Sequence, residues 1–409
     1  GISGLSTAYL LKDTHEVHLF ERLNRLGGHS NTVMAVMEGE SIPVDTGFIV
    51  FNNHTYPNLV KFFQYLGIPI INSDMSFSVS LDHGSFEYAG INLDSLFCQR
   101  SNLTRPDFWR MVRDIFRFNK MARKLSVNIS YDITLEGFLN KHGFSKAFRD
   151  WYLYPMTSAI WSMPLQGTGQ YPARTLIDFF HNHGLLRVIN QYPWLTVKGG
   201  SQSYVQKVAS QLGKVHLNTE VKSVLPKDGK VEVITNQGKY HFDEVVLATD
   251  GAAPLSLLQS PSSLQKEILG GFKVSKNKAV LHWDKNLMPK RQKAWASWNY
   301  LLQTGDSSQG VSLSYWMNRL QGLESQHPLI VSLNPSQQPD SEKILYETEY
   351  LHPLFDADTI RMQGRLPEIQ GLDNIWYAGA YHGYGFHEDG LKSGMRVAQK
   401  LGGKIPWET

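Results

Sequence analysis

The chain opens Gly1-Ile-Ser3-Gly4-Leu-Ser-Thr-Ala-Tyr-Leu-Leu11, continues Glu16-Val-His-Leu-Phe20, and then reads Glu21-Arg22-Leu-Asn-Arg25-Leu-Gly27-Gly28-His29. A glycine-rich corner starts a helix; a short apolar strand follows and ends in an acid. Twenty positions separate Gly1 from Glu21, the interval at which a dinucleotide fold places the acid that holds a ribose hydroxyl. Gly1 and Gly4 read as the second and third glycines of a G-x-G-x-x-G turn. The first lets backbone approach a pyrophosphate, and the other lets helix and strand pack closely. The pyrophosphate would sit on the helix N-terminus beside Ser3, where free N–H groups and the helix dipole favour an anion. The first glycine of such a turn and the strand before it are not in the sequence, which starts inside the motif.

Glu21, Arg22 and Arg25 ahead of paired Gly27-Gly28, with His29 next, resemble the extended signature of flavin-dependent amine oxidases and phytoene-desaturase-like enzymes. That resemblance implies FAD, with the paired glycines passing close to its diphosphate and ribityl chain. It also implies that Asp45-Thr46-Gly47-Phe48 lies beside the flavin and that the backbone of Val221 pairs with adenine. The segment Asn374-Ile-Trp-Tyr-Ala-Gly379, the loop after it and the helix expected over Leu391 to Leu401 resemble the closing motif of the same enzymes. In that motif Phe386, His387, Glu388 and Asp389 would meet the cofactor. Asp389 stands where relatives have glycine, and Ala380 where they have an acid. A chain that truly began at Gly1 is expected to hold FAD weakly or not at all.

Four stretches are similar to one narrower group: Val44 to Asn52, Asp74 to Ser80, Trp295 to Tyr300 and Gly379 to Gly390. These are amine-oxidase-like "predicted NAD/FAD-binding" proteins, often encoded beside or fused to cyclopropane-fatty-acyl-phospholipid synthases. The similarity implies lipid-linked redox chemistry, an apolar or lipid-like substrate and a lipid-modifying synthase as partner.

Composition sets outer bounds. At 409 residues and 42% hydrophobic, the chain can bury one large core or two smaller ones, and its length suggests two or three domains. Twelve per cent aromatics argue against disorder. No run reaches the roughly 18 apolar residues of a membrane span. The single cysteine, Cys98, excludes an internal disulfide and a cysteine metal site and suits a reducing, cytoplasmic compartment. No metal site and no nucleic-acid partner are expected. The net charge is +3, yet residues 100–124 hold eight Lys or Arg and two Asp, which leaves −3 on the rest. Such a patch points to an anionic surface or ligand.

The chain reads as mixed α/β: a Rossmann-like FAD domain interleaved with a substrate domain of mixed or antiparallel sheet and helices. The FAD domain takes residues 1–58, 195–260 and 365–409; the substrate domain takes 59–194 and 261–364. Hairpins are expected around Glu38-Gly39 and Asp82-His83-Gly84, and a helix from Asn58 to Leu66 stopping at Gly67. Residues 104–125 form an amphipathic helix capped by Thr104, with Phe108, Met111, Val112, Ile115, Asn119 and Ala122 on one face. Arg110, Arg113, Arg117, Lys120 and Lys124 make a basic stripe flanked by Trp109, Phe116 and Met121. It reads either as a solvated face or as a contact with anionic lipid headgroups, peripheral on the inner side of a membrane.

Further helices are expected over 133–142, 145–153, 174–184 and 201–212. The aromatic run from Trp151 to Pro164 reads as core or as the roof of a substrate cavity. Strands are expected over 215–217, 220–225, 230–235, 239–242 and 243–249, then over Asn277 to Trp283, Ala294 to Leu302, Val311 to Trp316 and Leu329 to Leu333.

A flavin transfers hydride itself, so the protein has to position the carbon and exclude water. No acid–base dyad is visible. Pocket candidates are Trp161, Tyr381, Tyr384 and Phe386, with packing as the alternative role. The preferred activity is FAD-dependent oxidation of an acyl chain. A true amine oxidase would place a lysine such as Lys278 near the flavin, and a non-catalytic partner of a synthase is the third reading.

Overall fold

The computed structural model describes residues 1–125, 129–130, 132–161, 165–186, 192–302 and 312–408. The first helix, Ile2–Leu11, is buried on nearly every side, and its long partner is helix His387–Lys400. Small residues let the two come together. A Cβ on Gly390 would lie 2.8 Å from Ile2 Cγ2 and 2.9 Å from Ser3 Oγ, and one on Gly394 would lie 2.7 Å from the Ser3 carbonyl oxygen.

Two parallel ladders lie under the start of the first helix. Strand His18–Phe20 pairs with Lys214–His216, and Val245–Leu247 pairs with Ile375–Tyr377. A Cβ on Gly4 would lie 3.2 Å from Ala248 Cβ and 3.8 Å from Leu19 Cδ1, so Gly4 is the point where the helix rests on both. Strands Val221–Lys227, Lys230–Thr235 and Lys239–Phe242 form an antiparallel meander. Its first turn, Asp228-Gly229, takes positive φ at both residues, the twist a two-residue hairpin needs. The hairpin of Thr32–Met37 and Glu40–Asp45 turns at Glu38-Gly39 in the same way.

A seven-stranded sheet makes the other half of the molecule. Its order is Ile344–Leu354, Lys273–His282, Ile330–Leu333, Ser312–Trp316, Trp298–Leu302, Phe77–Leu81, Phe86–Ala89. All neighbours are antiparallel except Trp298–Leu302 and Phe77–Leu81, which run parallel. Side chains alternate across the pleat, and the two faces differ sharply. One carries Tyr88, Val79, Trp298, Tyr300, Tyr315, Val331, Leu281, Tyr346 and Tyr350, covered by Phe108 and Met111 of helix Pro106–Leu125 and by Trp151 and Tyr152. The other buries a polar row. His282 Nε2 meets Ser332 Oγ at 2.8 Å, Ser332 Oγ meets Ser314 Oγ at 2.8 Å, the Ser314 carbonyl accepts from Asn299 Nδ2, and Ser78 Oγ donates to Asn299 Oδ1. The row is satisfied by its own members, which is what lets polar groups stay buried.

Several expectations are corrected. The longest strand, Ile344–Leu354, was not anticipated. Thr104 does not cap the basic helix: it ends a 3₁₀ turn, its hydroxyl donates to the Ser101 carbonyl, and the helix starts at Pro106. The Ala294 to Leu302 run is a strand only from Trp298, because the Asn299 side chain bonds back to the Ala296 N–H and carbonyl and holds a turn there. Val311 lies outside the described residues. The C-terminal helix starts at His387 rather than Leu391, because the Asp389 carboxylate accepts from the N–H groups of Tyr384 and Phe386 ahead of it. The segment from Lys146 to Trp161 is helical, with a π turn at Arg149–Leu153.

The basic helix also differs from its sequence reading. Phe118 and the Asp114 carboxylate face inward with Phe108, Met111 and Ala122. Asp114 accepts from the Ser145 N–H and pairs with Arg117 at 3.2 Å. Arg117 also donates to the His142 carbonyl and lies 4.0 Å from the centre of the Phe144 ring. It leaves the exposed stripe and becomes a tie between helices.

Candidate functional site

The glycines singled out above meet at one place. Gly27 (φ 111°) and Gly28 (φ 58°) take conformations that disfavour a Cβ. A Cβ on Gly28 would lie 3.0 Å from Gly1 Cα, and one on Gly27 would run into the Ser30 carbonyl oxygen. The Gly27-Gly28 backbone therefore touches the N-terminus of the first helix. Arg25 holds the turn from outside, donating to the Gly28 carbonyl at 3.0 Å. Glu21 caps its own loop, its carboxylate accepting from the Leu23 N–H, while its backbone extends the first ladder by bonding His216 and Thr219. Arg22 is exposed.

The turn at 45–48 closes on the same corner. The Phe48 N–H donates to the His29 carbonyl at 2.8 Å, and a Cβ on Gly47 would run into that carbonyl oxygen. Asp45 anchors the turn from behind: it accepts from Thr32 Oγ1, from the Ser201 N–H and Oγ, and from Gln321 Nε2. Burial pushes its carboxyl up to about 6, and the Thr32 and Ser201 bonds pull the other way.

The C-terminal motif supplies the third side. The His387 ring stacks on Phe48 with centroids 3.6 Å apart, and its Nε2 meets Ser30 Oγ at 2.9 Å. Ser30 Oγ in turn meets the Tyr204 hydroxyl. Burial, with His29 nearby, lowers the His387 pKa far below its ordinary value, so the ring is neutral. The Gly379 N–H is held by Ser393 Oγ at 2.9 Å.

Both acids of this motif have backbone partners. The Glu388 carboxylate accepts from the Asn58 and Leu59 N–H groups and from Asn58 Nδ2, at the N-terminus of helix Pro57–Leu66 where an anion is favoured. Asp389 holds the Tyr384–Phe386 bend, and burial raises its carboxyl to about 6.

Other residues fall apart from this corner. Val221 begins the meander and pairs with Thr235. Tyr381 is buried edge-on to Phe272, in the core beneath the second ladder. Tyr384 and Phe386 pack on Phe179 of helix Ala173–Asn182. Lys278 is half-buried, paired with Glu347 at 2.8 Å on the sheet face away from the aromatic side. Trp161 ends its helix, and its side chain lies outside the described residues.

Sequence reasoning passed over a contribution from the Ile344–Leu354 strand. His29 stacks on Tyr350 at 4.9 Å, with the His352 ring 5.4 Å away. The Tyr350 hydroxyl meets Thr46 Oγ1 at 2.7 Å and accepts from Asn31 Nδ2 at 3.0 Å. Burial holds His29 down to about 3, with His352 adding to it, and burial holds His352 to about 4. The signal was the alternation Tyr346, Thr348, Tyr350, His352 on one side and Glu347, Glu349 on the other.

The walls of this corner are backbone: a Cβ at Gly27, Gly28 or Gly47 would collide with them. The corner adjoins the N-terminus of the first helix, a position that favours an anion.

Comparison with known proteins gives the same reading. The family model described as flavin containing amine oxidoreductase matches residues 2–363. Among solved structures, a fatty acid isomerase from P. acnes described as CLA-producing is similar over 98% of this chain and 96% of its own, with TM-score 0.69 and 14% identity. Putrescine oxidase bound to putrescine gives TM-score 0.69 and 14% identity over 98% of this chain and 97% of its own. Cyclohexylamine oxidase from Brevibacterium oxydans gives TM-score 0.69 and 15% identity over 98% of both chains. No curated protein sequence matches. The chain belongs to the flavin containing amine oxidoreductase family, as an FAD-dependent oxidoreductase of mixed α/β fold.

Proposed function

We propose that this FAD-dependent oxidoreductase oxidises the acyl chain of a fatty acid or phospholipid by hydride transfer to the flavin. Residues 1–58, 195–260 and 365–409 hold the cofactor in this reading, and 59–194 with 261–364 hold the substrate. Gly1, Ser3, Gly4, Arg25, Gly27 and Gly28 face the diphosphate, Glu21 and Arg22 the ribose, and Val221 the adenine. His29, Thr46, Gly47, Phe48, Gly379, Phe386, His387, Glu388 and Asp389 shape the flavin end. When bound, FAD supplies the hydride acceptor. The protein's part is to align an apolar chain and to exclude water.

The observation that carries the reading is the aromatic face of the seven-stranded sheet. Its strands bring no carboxylate to that face among the described residues. Its Trp298 Nε1 and Tyr300 hydroxyl are buried without a partner. An indole N–H can only donate, and a buried donor without a partner costs about 1–3 kcal/mol. A carboxylate or ester oxygen at the head of an acyl chain satisfies both groups.

A second reading, amine oxidation, is favoured by the names of two structural neighbours, putrescine oxidase and cyclohexylamine oxidase. Anaerobic mixing separates the two. A fatty acid or phospholipid should bleach the long-wavelength flavin band of the holoenzyme and polyamines should not. Bleaching by polyamines alone sinks the acyl reading. Bleaching by neither, with tight binding to a cyclopropane-fatty-acyl-phospholipid synthase, makes the chain a flavoprotein partner of that synthase.

A further inference from the structure

Four of the large apolar side chains that stay exposed fall within 24 residues: Leu93 (74% exposed), Leu103 (47%), Trp109 (47%) and Phe116 (56%). They are neighbours in space. The Phe97 N–H bonds the Leu93 carbonyl one turn back, the Phe97 and Trp109 rings lie 5.7 Å apart, and Trp109 Nε1 donates to the Leu103 carbonyl. Phe116 follows two turns along the same helix.

The outward row of helix Pro106–Leu125 differs from the stripe drawn from sequence. Arg117 is tied inward to Asp114 and His142, and Arg110 is paired with Asp107 at 2.8 Å. What remains outward is Trp109, Arg113, Phe116, Lys120 and Lys124, all exposed and spaced by three or four residues; Arg113 keeps a long 3.5 Å contact to the buried Asp114 carboxylate while its side chain stays in solvent. Aromatic and basic side chains therefore alternate along one line. The nearby acids are neutralised: Asp94 is held by Arg100 and by Lys293 at 2.9 Å, and Asp107 by Arg110.

We propose that this face lies on the anionic headgroup layer of a lipid bilayer. The basic side chains reach phosphates, and Leu93, Leu103, Trp109 and Phe116 enter the acyl boundary. Charge complementarity selects the occupant, since the surrounding segment carries eight cations against two acids. The aromatic side chains select a bilayer over a purely polar anion, because an interfacial helix gains both from buried apolar area and from anionic lipid. The inner side of the same helix packs on the aromatic sheet face through Phe108 and Met111. A lipid leaving the membrane then has about one helix diameter, ~10 Å, to travel to that face. Only this last step rests on the acyl reading; attachment itself does not.

FAD-loaded protein is sedimented with vesicles of equal parts phosphatidylcholine and phosphatidylglycerol, and with phosphatidylcholine alone. It should bind the first and not the second. Arg113→Glu with Lys120→Glu should weaken binding about 25-fold, roughly fivefold for each cation near an anionic surface. Phe116→Ser should weaken it about tenfold. Lys61→Glu with Lys207→Glu, on other helices, should leave it unchanged. The proposal is overturned if the wild-type protein ignores anionic vesicles, if the three variants bind alike, or if Phe116→Ser only dissolves a self-associated species that binds no lipid. No turnover enters this measurement. A protein that binds vesicles yet is bleached only by polyamines keeps the membrane face and loses the acyl substrate.

Discussion

The glycine corner and the seven-stranded sheet solve opposite problems. At the corner, side chains are removed so that backbones can touch: Gly28 on Gly1, Gly47 on His29, Gly390 and Gly394 on the first helix. In the sheet, side chains are what matter, and the pleat sorts them into an aromatic face and a buried row of Ser78, Asn299, Ser314, Ser332 and His282. A site built on absent side chains should fail abruptly when one is added. A site built on many side chains should fail by degrees.

The sharpest break is Gly27→Val. The residue sits at φ 111°, and its Cβ would collide with the Ser30 carbonyl oxygen. Left-handed backbone alone costs a branched residue about 1–2 kcal/mol, and the collision adds to it. The purified variant should carry at least tenfold less FAD, read as flavin absorbance per chain. Gly394→Leu comes next: it pushes the first helix away from helix His387–Lys400 at Ser3, Ser6 and Thr7. Overpacking of this kind costs about 1–3 kcal/mol, which should lower the melting temperature and loosen FAD together. If either variant keeps full FAD, close backbone approach is not what makes the corner.

Acid should test the two regions together. His29 and His382 titrate in the fold at about 3, and His183, His282 and His352 at about 4, all held down first by burial, against an ordinary value of 6.5. Below 6.5 the unfolded chain binds protons that the fold refuses. Stability from these rings is therefore complete above 6.5 and is lost progressively toward pH 4. Asp45 and Asp389 act the other way: burial raises them to about 6 from 3.8, so the fold takes their protons first and regains some stability on acidification. Five histidines outnumber two carboxyls, and the unfolding midpoint in urea should fall between pH 6.5 and 4.5. A flat profile there would mean that these histidines are not buried neutral.

Ser332→Ala is the mildest test. It removes the link between His282 and Ser314 and leaves both partners buried, at a cost of about 1–3 kcal/mol. Chemical denaturation should register that loss while FAD content stays unchanged, because the row lies on the sheet face away from the aromatic side chains.

The corner was largely legible because its requirements are local. Glycine at 27, 28 and 47 answers to backbone conformation and close approach, which leave a mark at each position. The hairpins at Glu38-Gly39 and Asp82-His83-Gly84 were legible for the same reason. The strand Ile344–Leu354 escaped because its two glutamates and Pro353 look like surface chain, although its period-two alternation was present. The buried serine row was illegible. Its members come from five separate strands, and a serine in a strand looks the same whether it meets water or a histidine.

Sequence alone determined the family, the cofactor and the glycines that let the backbones of the corner meet, because backbone geometry and residue spacing are local properties. Tertiary structure alone decided that Glu388 caps helix Pro57–Leu66, that Arg117 turns inward, that Trp109 and Phe116 alternate with exposed cations, and that Tyr350 reaches the corner under His29. Each of those depends on a partner distant in the chain, and only packing chooses that partner.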